Sequence, residues 1–299
     1  MSPSVKQRTA HCPTLGSVVQ DIRRRLEAAG IDSAEQEALW LIEHALALRG
    51  LHQIVERERL LTDREVARLN GVVTRRVARE PLQYILGTQE FCGLEFEVNP
   101  TVLIPRPETE LLAHEIIRRL PRGTPPTLMD VGTGSGCLAV TLARSIPQAR
   151  MIATDISTQA LETATRNARR HAVDSSITWL HGDLLAPLRG LGLEGRMHAI
   201  LANPPYIRES EWAGLQPEVS GYEPRLALVA GPRGTELHER LLGEAVSYLM
   251  PGGWLAMEVG EGQSMDLCSK IETMPDYEGV KVVPDEAGIN RIVIVRRAR

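Results

Sequence analysis

The sequence has few cysteines, and they lie far apart. Cys12, Cys92, Cys137 and Cys268 form no Cys-x-x-Cys pair, and the eight histidines are equally scattered. Isolated cysteines are usually small, buried apolar residues in a reducing compartment, whereas a metal site needs ligands at close and regular spacing. We therefore expect no disulfide framework and no bound metal.

Long apolar runs are also missing. No segment approaches the roughly 18 consecutive apolar residues that a membrane-spanning helix needs. The start of the chain, residues 1–6, lacks the basic-then-apolar pattern of a secretory signal. These absences favour a cytoplasmic protein with no membrane partner.

Lysine is scarce, because only Lys6, Lys270 and Lys281 occur and the other basic residues are arginines. The formal net charge is -4. Proteins that bind nucleic acid directly usually carry a clear basic excess, so we expect no direct nucleic-acid partner. A chain of 299 residues, 43% of them hydrophobic, predicts one large and one small domain.

Helical periodicity dominates residues 1–87. Apolar residues recur at three- and four-residue spacing over residues 15–26. Two more helices are predicted to begin at Ser33 and Thr62, where Ser-x-x-Gln and Thr-x-x-Glu form capping-box patterns, and Pro81 ends the third. Positive and negative residues nearly balance here, which indicates a packed helical module and not a basic clamp.

The period changes over residues 88–105. Residues 91–98 alternate apolar and polar side chains, and Asn99-Pro100 is a turn signal before the apolar residues 102–104. This pattern predicts a β-hairpin linker between the helical domain and a second domain over residues 106–299. The second domain should open with a helix near Pro107, whose first turn is acidic.

From about residue 124 onward, short apolar strands alternate with helices, the pattern of an open α/β sheet. Seven strands are predicted, over residues 127–131, 150–154, 177–180, 199–202, 254–259, 280–283 and 291–295. The last two are close enough in sequence to form a hairpin. The predicted fold is therefore an α/β, Rossmann-like sheet of seven strands.

A glycine-rich turn follows the first of these strands. Gly132-Thr133-Gly134-Ser135-Gly136 lies between the strand and a helix start, which would place backbone amides beside a closely approaching ligand. The spacing differs from the Gly-x-Gly-x-x-Gly of dinucleotide sites, and no phosphate-loop motif is present. Such a turn can also serve packing alone.

The next two strands end in groups suited to an adenosine. Asp155 ends one strand, where a carboxylate can accept both ribose hydroxyls; the alternative is that it caps the helix near Ser157. Asp183 ends the other strand and could accept the adenine amino group, with Leu184 packed on the ring. Together with the glycine turn, these strand ends predict an adenosine site. S-adenosylmethionine fits it best, because this cofactor carries no phosphate and its sulfonium tolerates an acidic pocket.

Asn203-Pro204-Pro205-Tyr206 follows the fourth strand. The segment could be a simple turn, but the carboxyl end of a strand beside a cofactor crevice favours a functional role. The Asn203 side-chain oxygen and the Pro204 carbonyl can each accept one hydrogen of an amide, which would hold its poorly nucleophilic nitrogen in line with a methyl donor. The prolines stiffen the loop, and Tyr206 offers a flat wall. Asn203 and Pro204 are thus the predicted catalytic residues, and all four are predicted to bind substrate.

Residues 203–206, 130–136 and 104–110 together resemble the peptide chain release factor glutamine N5-methyltransferase family. The resemblance covers nearly the whole chain, including residues 80–87 and 221–224. Asn-Pro-Pro-Tyr alone is shared with adenine-N6 nucleic-acid methyltransferases.

The Pro-Arg-Pro-acid sequence within residues 104–110 is more specific than Asn-Pro-Pro-Tyr. Related enzymes that methylate a ribosomal protein glutamine tend to have a serine between this arginine and proline. Arg106 and Pro107 are adjacent here, which favours the release-factor branch.

The resemblance implies methyl transfer from S-adenosylmethionine to the glutamine of a Gly-Gly-Gln loop in a class 1 release factor. It also implies a seven-strand class I methyltransferase sheet with its last strand antiparallel, and a helical N-terminal domain that helps to hold the substrate protein. The implied cofactor residues are Gly132, Thr133, Gly134, Ser135, Gly136, Asp155, Asp183, Leu184 and Asn203. Two alternatives stay open: a ribosomal protein glutamine methyltransferase, and an adenine-N6 nucleic-acid methyltransferase, against which the acidic balance counts.

Overall fold

The computed structural model describes residues 12–121 and 123–299. The chain divides into two compact units, Met1–Leu86 and Gly87–Arg299. Residues 1–6, on which the expectation about a secretory signal rests, lie outside the described residues. Within the described residues, no helix is both long and apolar enough to cross a membrane.

The first unit is helical. Its helices are α1 (Leu15–Ala28), α2 (Ala34–Leu46), α3 (Gly50–Val55), α4 (Asp63–Val77) and α5 (Leu82–Leu86). Buried aliphatic side chains of α1, α2, α4 and α5 form its core. A buried ion pair joins Arg76 of α4 to Glu37 of α2, with 2.5 Å between Nε and Oε2.

One of the two predicted capping boxes is confirmed. The Thr62 hydroxyl accepts from the Glu65 amide at 3.3 Å, and the Glu65 carboxylate accepts from the Thr62 amide at 2.9 Å. The capping box predicted at Ser33 was wrong, because Ser33 has a ψ of 26° and makes no side-chain capping bond. Its hydroxyl donates instead to Glu37, the carboxylate that also holds Arg76.

The second unit begins with a β-hairpin, β1 (Thr88–Phe91) and β2 (Leu94–Glu97). The turn that was predicted at Asn99-Pro100 lies instead at Cys92-Gly93, whose φ angles are 50° and 72°. Positive φ at both central residues suits a two-residue hairpin, since it matches the twist of the strands. Residues 102–104 were wrongly assigned to the hairpin, because they form no strand.

The rest of this unit alternates helices and strands. The strands are β3 (Thr127–Val131), β4 (Arg150–Asp155), β5 (Ile177–His181), β6 (Met197–Ala202), β7 (Ile207–Arg208), β8 (Val229–Gly231), β9 (Leu249–Glu258), β10 (Tyr277–Pro284) and β11 (Asn290–Arg297). The helices are α6 (Pro107–Arg119), α7 (Cys137–Ser145), α8 (Thr158–Arg170), α9 (Pro217–Tyr222), α10 (Glu236–Tyr248) and α11 (Ser264–Glu272). Short 3-10 helices lie at Asp174–Ser176, Ala186–Leu188, Glu209–Gly214 and Arg225–Ala227.

Seven of these strands form one sheet in the order β10-β11-β9-β6-β3-β4-β5. Neighbours from β9 to β5 are parallel, and β11 is antiparallel to both β9 and β10. The predicted α/β fold, the seven strands and the antiparallel last strand are confirmed. Buried apolar side chains cover both faces of the sheet, as expected for parallel strands that lie between helices.

The strand order places a crevice at the carboxyl end of β3. The chain passes from β3 to β4 and β5 on one side and then returns to β6 on the other side. Such a switch point leaves a gap between the connections, where ligands bind in open α/β sheets. Val131 is in register with Thr154 and Ala202, so Gly132, Asp155 and Asn203 lie at the same edge of the sheet.

Candidate active site

The three glycines of the turn after β3 all have positive φ, but they serve different purposes. A Cβ added at Gly136 would lie 2.9 Å from the Cβ of Ala164, so a glycine is required where α7 packs on α8. A Cβ added at Gly132 or Gly134 would meet no atom within 4 Å among the described residues. Those two glycines leave an open face towards the crevice.

Most backbone amides of this turn are bonded within the protein. Gly132 and Thr133 donate to the Thr154 carbonyl at 2.9 Å, Gly134 to Asp155 at 2.8 Å and Gly136 to the Thr133 carbonyl at 2.8 Å. Four of the five amides therefore donate within the protein, and contact of this turn with a ligand stays a prediction. A diphosphate needs free amide donors, so this turn suits a ligand without phosphate.

Asp155 joins the glycine turn to the start of α8. Its Oδ2 accepts from the Gly134 amide and its Oδ1 accepts from the Ser157 amide at 2.9 Å. The cap of α8 is Ser157, whose hydroxyl accepts from the Ala160 amide. Each carboxylate oxygen can accept two hydrogen bonds, so Asp155 keeps acceptor capacity for hydroxyl groups in the crevice. Burial raises the pKa of its carboxyl.

Asp183 and Leu184 lie beyond the end of β5. The carboxylate of Asp183 pairs with Arg240 of α10 at 2.7 Å. Leu184 is half-buried and has a φ of 44°, an uncommon conformation for a residue with a side chain. Contact of these residues with an adenine stays a prediction.

Asp130 lies near the end of β3. It was predicted to be a strand residue and was not predicted to be a site residue. Only 1% of it is exposed. Its Oδ2 accepts from the Thr133 hydroxyl at 2.6 Å and from the Ala139 amide at 3.2 Å. Its Oδ1 is buried without a hydrogen-bond partner in the described structure. Burial raises the pKa of Asp130 to about 7.

The Asn203 side chain belongs to a partly buried hydrogen-bond network. Its Nδ2 donates to the Thr109 hydroxyl at 3.0 Å, and that hydroxyl donates to Oε2 of Glu258 at 2.6 Å. Oε1 of Glu258 accepts from the Tyr206 hydroxyl at 3.3 Å. The network leaves Oδ1 of Asn203 as the acceptor on the other branch of the amide.

The loop from Asn203 to Tyr206 is also held by its backbone. The carbonyl of Tyr206 accepts from Nε2 of Gln263 at 2.8 Å, and the Ile207 amide donates to Leu228 at 2.9 Å. Pro204 is buried and Pro205 is half-buried. Burial holds the pKa of Tyr206 well above its usual value, so its hydroxyl stays a neutral donor.

The segments 104–110 and 221–224 meet beside this loop. Glu223 is buried and its carboxylate bonds to the Arg106 guanidinium, while it also accepts from the Ile104 amide at 3.1 Å. This bridge fixes the start of α6, which carries Thr109. The two sequence segments are therefore parts of one structure.

One small cavity of about 40 Å³ lies between these elements. Its lining residues are Leu103, Pro105, Arg106, Thr109, Asp130, Gly132, Thr133, Gly134, Ser135, Cys137, Leu138 and Asn203. The glycine turn and Asn203, which were predicted separately, thus face the same space. Asp155 adjoins it through Gly134, whereas Asp183 and Leu184 are not part of the lining. The described residues contain no group of three or more potential metal ligands.

The sheet order, the glycine turn at its switch point and the polar loop after β6 define a class I methyltransferase. The chain matches the family models of the PrmC N-terminal domain over residues 17–87 and of the methyltransferase small domain over residues 108–214. It is 40% identical to the release factor glutamine methyltransferase of Geobacter sulfurreducens, covering 94% of this chain and 95% of the relative. It is also 40% identical to that of Moorella thermoacetica, covering 95% and 99%. The chain belongs to the release factor glutamine methyltransferase family.

Solved structures with a similar fold include a methyltransferase from Pyrococcus furiosus, with a TM-score of 0.50 and 21% identity over 70% of this chain and 91% of that chain. The hMettl16 catalytic domain in complex with the MAT2A 3'UTR hairpin 6 has a TM-score of 0.54 and 16% identity, over 78% and 81%. At these identities the likeness concerns the fold alone.

Proposed function

We propose that this chain transfers a methyl group from S-adenosylmethionine to the side-chain nitrogen N5 of the glutamine in the Gly-Gly-Gln motif of class 1 peptide chain release factors. The observation that supports this proposal most directly is the fixed orientation of Asn203. Its Nδ2 donates to Thr109, so its Oδ1 can accept a hydrogen bond from a primary amide.

An amide nitrogen needs two acceptors, because its lone pair is delocalised and its two hydrogens set the plane of the group. Oδ1 of Asn203 and the carbonyl of Pro204 would each accept one of these hydrogens. Tyr206 would flank the planar amide. Holding the nitrogen in line with the methyl carbon is the main catalytic contribution of such a loop, and a strong base is not required.

The residues of the crevice fit S-adenosylmethionine, which supplies an electrophilic methyl carbon on a positively charged sulfur. Oδ1 of Asp130, which has no hydrogen-bond partner among the described residues, would hold a cationic group, and Asp155 would accept hydrogen bonds from the ribose hydroxyls. Gly132 and Gly134 offer open backbone without the free amides of a phosphate site. The full set proposed for the cofactor is Asp130 with Gly132, Thr133, Gly134, Ser135, Gly136, Asp155, Asp183, Leu184 and Asn203. Gly136 also supports the turn by packing on α8.

The partner would be a class 1 release factor in the cytoplasm, with no direct contact to nucleic acid or membrane. Residues 1–87 would form a substrate-recognition domain, residues 88–105 a hairpin linker and residues 106–299 the methyltransferase domain. Catalysis would be carried by Asn203 and Pro204, and the glutamine would be bound by Asn203, Pro204, Pro205 and Tyr206.

Mass spectrometry of a purified class 1 release factor tests this proposal. After incubation with the chain and S-adenosylmethionine, the peptide with the Gly-Gly-Gln motif should gain one methyl group, and fragmentation should place it on the glutamine side chain. A release factor with Gln→Glu at this position should gain none. Methylation of a ribosomal protein glutamine or of adenine in an oligonucleotide, with the release factor unmodified, would contradict it.

A further inference from the structure

Glu258 is a buried carboxylate that the proposed methyl transfer does not use directly. It lies at the end of β9, and only 1% of it is exposed. β9 is the parallel neighbour of β6, and Ala202 is in register with Met257. Glu258 is therefore the next strand-end residue beside Asn203.

Both oxygens of this carboxylate contact residues that hold the substrate loop. Oε2 accepts from the hydroxyl of Thr109, which is 3% exposed, and Oε1 accepts from the hydroxyl of Tyr206. Thr109 in turn contacts Asn203. One carboxylate thus reaches both ends of the Asn203–Tyr206 loop.

The charge of Glu258 fixes the direction of these hydrogen bonds. An ionised carboxylate can only accept, so the single proton of the Thr109 hydroxyl points to Glu258. The Thr109 oxygen is then left only as an acceptor towards Asn203, which must present Nδ2 to it. Oδ1 of Asn203 consequently faces the other way.

We propose that Glu258 is a positioning residue: through Thr109, its carboxylate selects the orientation of the Asn203 amide that presents Oδ1 to the substrate glutamine. This inference rests on the proposed function, and it names the residue that sets the geometry of Asn203 towards the substrate glutamine. A protonated Glu258 could donate to Thr109, and the Thr109 hydroxyl would then be free to donate to Oδ1. In that state Nδ2 of Asn203 would face the substrate. Its N–H group and an N–H group of the substrate glutamine would then point at each other, and neither could accept a hydrogen bond.

The surroundings of Glu258 make this change accessible near neutral pH. Burial raises the pKa of Glu258 to about 7, although the bonds from Thr109 and Tyr206 favour the ionised form. Glu108 of α6 favours the protonated form and Arg291 of β11 favours the ionised form.

Two neighbours of Glu258 have little effect on the pKa of its carboxyl. Arg291 is paired with Asp285 at 2.9 Å, which reduces its effect on the carboxyl. The ring of His238 of α10 is hydrogen-bonded to the backbone carbonyl of Glu258 at 2.7 Å, and burial lowers the pKa of this histidine, so it stays neutral.

Turnover measured against pH with a release factor substrate tests the inference. In the wild type, kcat should fall as the pH is lowered from about 8 to 6, with a midpoint near the pKa of Glu258. Glu258→Gln and Thr109→Val should each lower kcat at pH 8 by roughly 10–100-fold, the usual effect of losing a partner that orients a reacting group. Both variants should lose this pH dependence, and the KM for S-adenosylmethionine should stay unchanged. Thr109→Ser keeps the hydroxyl and should restore both kcat and the pH profile.

Two matched control variants distinguish a loss of positioning from a loss of stability. Thr141→Val removes a buried hydroxyl of α7 that has no hydrogen-bond partner among the described residues. Glu115→Gln changes a buried carboxylate of α6 that is bonded to Arg118 and Arg119. Both should keep the wild-type profile. Wild-type kcat and pH dependence in Glu258→Gln or Thr109→Val would overturn the inference.

A second measurement needs no turnover. In NMR spectra of the full chain, the Asn203 side-chain amide signals should shift with the same midpoint as the Glu258 carboxyl carbon, and this shift should disappear in Thr109→Val. Asn203 signals that stay constant between pH 6 and 8, or a Glu258 carboxyl that does not titrate there, would overturn the inference. An inactive wild type that still shows the coupled titration would count against the proposed function alone.

Discussion

Asn203 has two amide branches of nearly equal shape, and only one of them can accept a hydrogen bond. The structure assigns the donor branch to Thr109 and leaves the acceptor branch for a ligand. Pro204 adds a backbone carbonyl whose direction is restricted, because Pro205 follows and a residue before proline is held in the extended region. Two acceptors on adjacent residues suit a primary amide, which carries two hydrogens on one nitrogen.

Asp130 gives the first prediction at the residue scale. Its raised pKa means that a cationic ligand must compete with a proton. We therefore expect calorimetry to show tighter binding of S-adenosylmethionine as the pH rises from about 6 to 7.5. Asp130→Asn should weaken binding by roughly 1.5–3 kcal/mol at the upper pH, the range for a hydrogen bond to a charged group, and should remove the pH dependence. Asp21→Asn, an exposed position of α1, is the control; equal affinity in Asp130→Asn and wild type would exclude the assignment.

The candidate site residues predicted from the sequence, such as Asn203, Asp155 and the glycines, end a strand, follow one or stand within a recognisable turn. Thr109 and Glu258 were missed because their contacts join residues 94 and 149 positions apart. Only the order of the strands places β9 beside β6, and a single sequence contains no signal for that order. Asp130 was visible next to the glycine turn, but a sequence does not show that its Oδ1 is buried without a hydrogen-bond partner among the described residues.

At the scale of elements, short pieces were harder to predict than long ones. The helix α3 has six residues and α5 has five, too few for a periodic pattern to distinguish them from loops. The turn of the hairpin was predicted at the wrong position because Asn99-Pro100 is a strong turn signal. Cys92, where the turn lies, adopts a positive φ that its residue type does not suggest. The predicted strands of the sheet were found because each is a compact apolar run.

The junction of α7 with α8 gives a prediction at this scale. Gly136→Ala would place a methyl group 2.9 Å from the Cβ of Ala164 and require alanine at a φ of 79°. Backbone strain costs about 1–2 kcal/mol and overpacking about 1–3 kcal/mol, so urea denaturation should show a loss of roughly 2–5 kcal/mol in the free energy of unfolding. Gly243→Ala is the matched control within α10, where the added Cβ has open space among the described residues. It should stabilise the chain by up to about 1 kcal/mol; a similar effect of both substitutions would contradict this account.

At the scale of the whole molecule, buried carboxyl groups and ion-paired carboxyl groups change stability with pH in opposite directions. Burial raises the pKa values of Asp130 and Glu258 to about 7, so the folded state holds these protons more tightly than the unfolded state. Lys270 and Arg233 lower the pKa of Glu239 to about 2, so that group holds its proton less tightly when folded. Carboxyl groups with a raised pKa, such as Asp130 and Glu258, stabilise the folded state at low pH. Carboxyl groups with a lowered pKa, such as Glu239, stabilise it at higher pH.

These shifts predict the pH dependence of stability. The free energy of unfolding should rise from about pH 2 to 4.5 as Glu239 and similar groups ionise, and should then fall between about pH 4.5 and 7.5 as the unfolded chain releases protons that the folded chain keeps. The fall should amount to something on the order of 3 kcal/mol for Glu258. Urea denaturation across this pH range checks the profile, and Glu258→Gln should flatten its upper part. A stability that rises steadily from pH 4.5 to 7.5 would disagree with the assignment of buried, proton-holding carboxyls.

The most direct measurement compares Asn203→Ala with Asp155→Ala, each assayed for turnover on a release factor and for S-adenosylmethionine affinity. Asn203→Ala should bind the cofactor almost as the wild type does and lose roughly 10²–10³ in kcat, as when a preorganised polar group is removed from a reacting centre. Asp155→Ala should instead weaken cofactor binding by about 1.5–3 kcal/mol. Near-normal turnover in Asn203→Ala, with its fold intact, would show that this side chain does not aim the glutamine nitrogen at the methyl group.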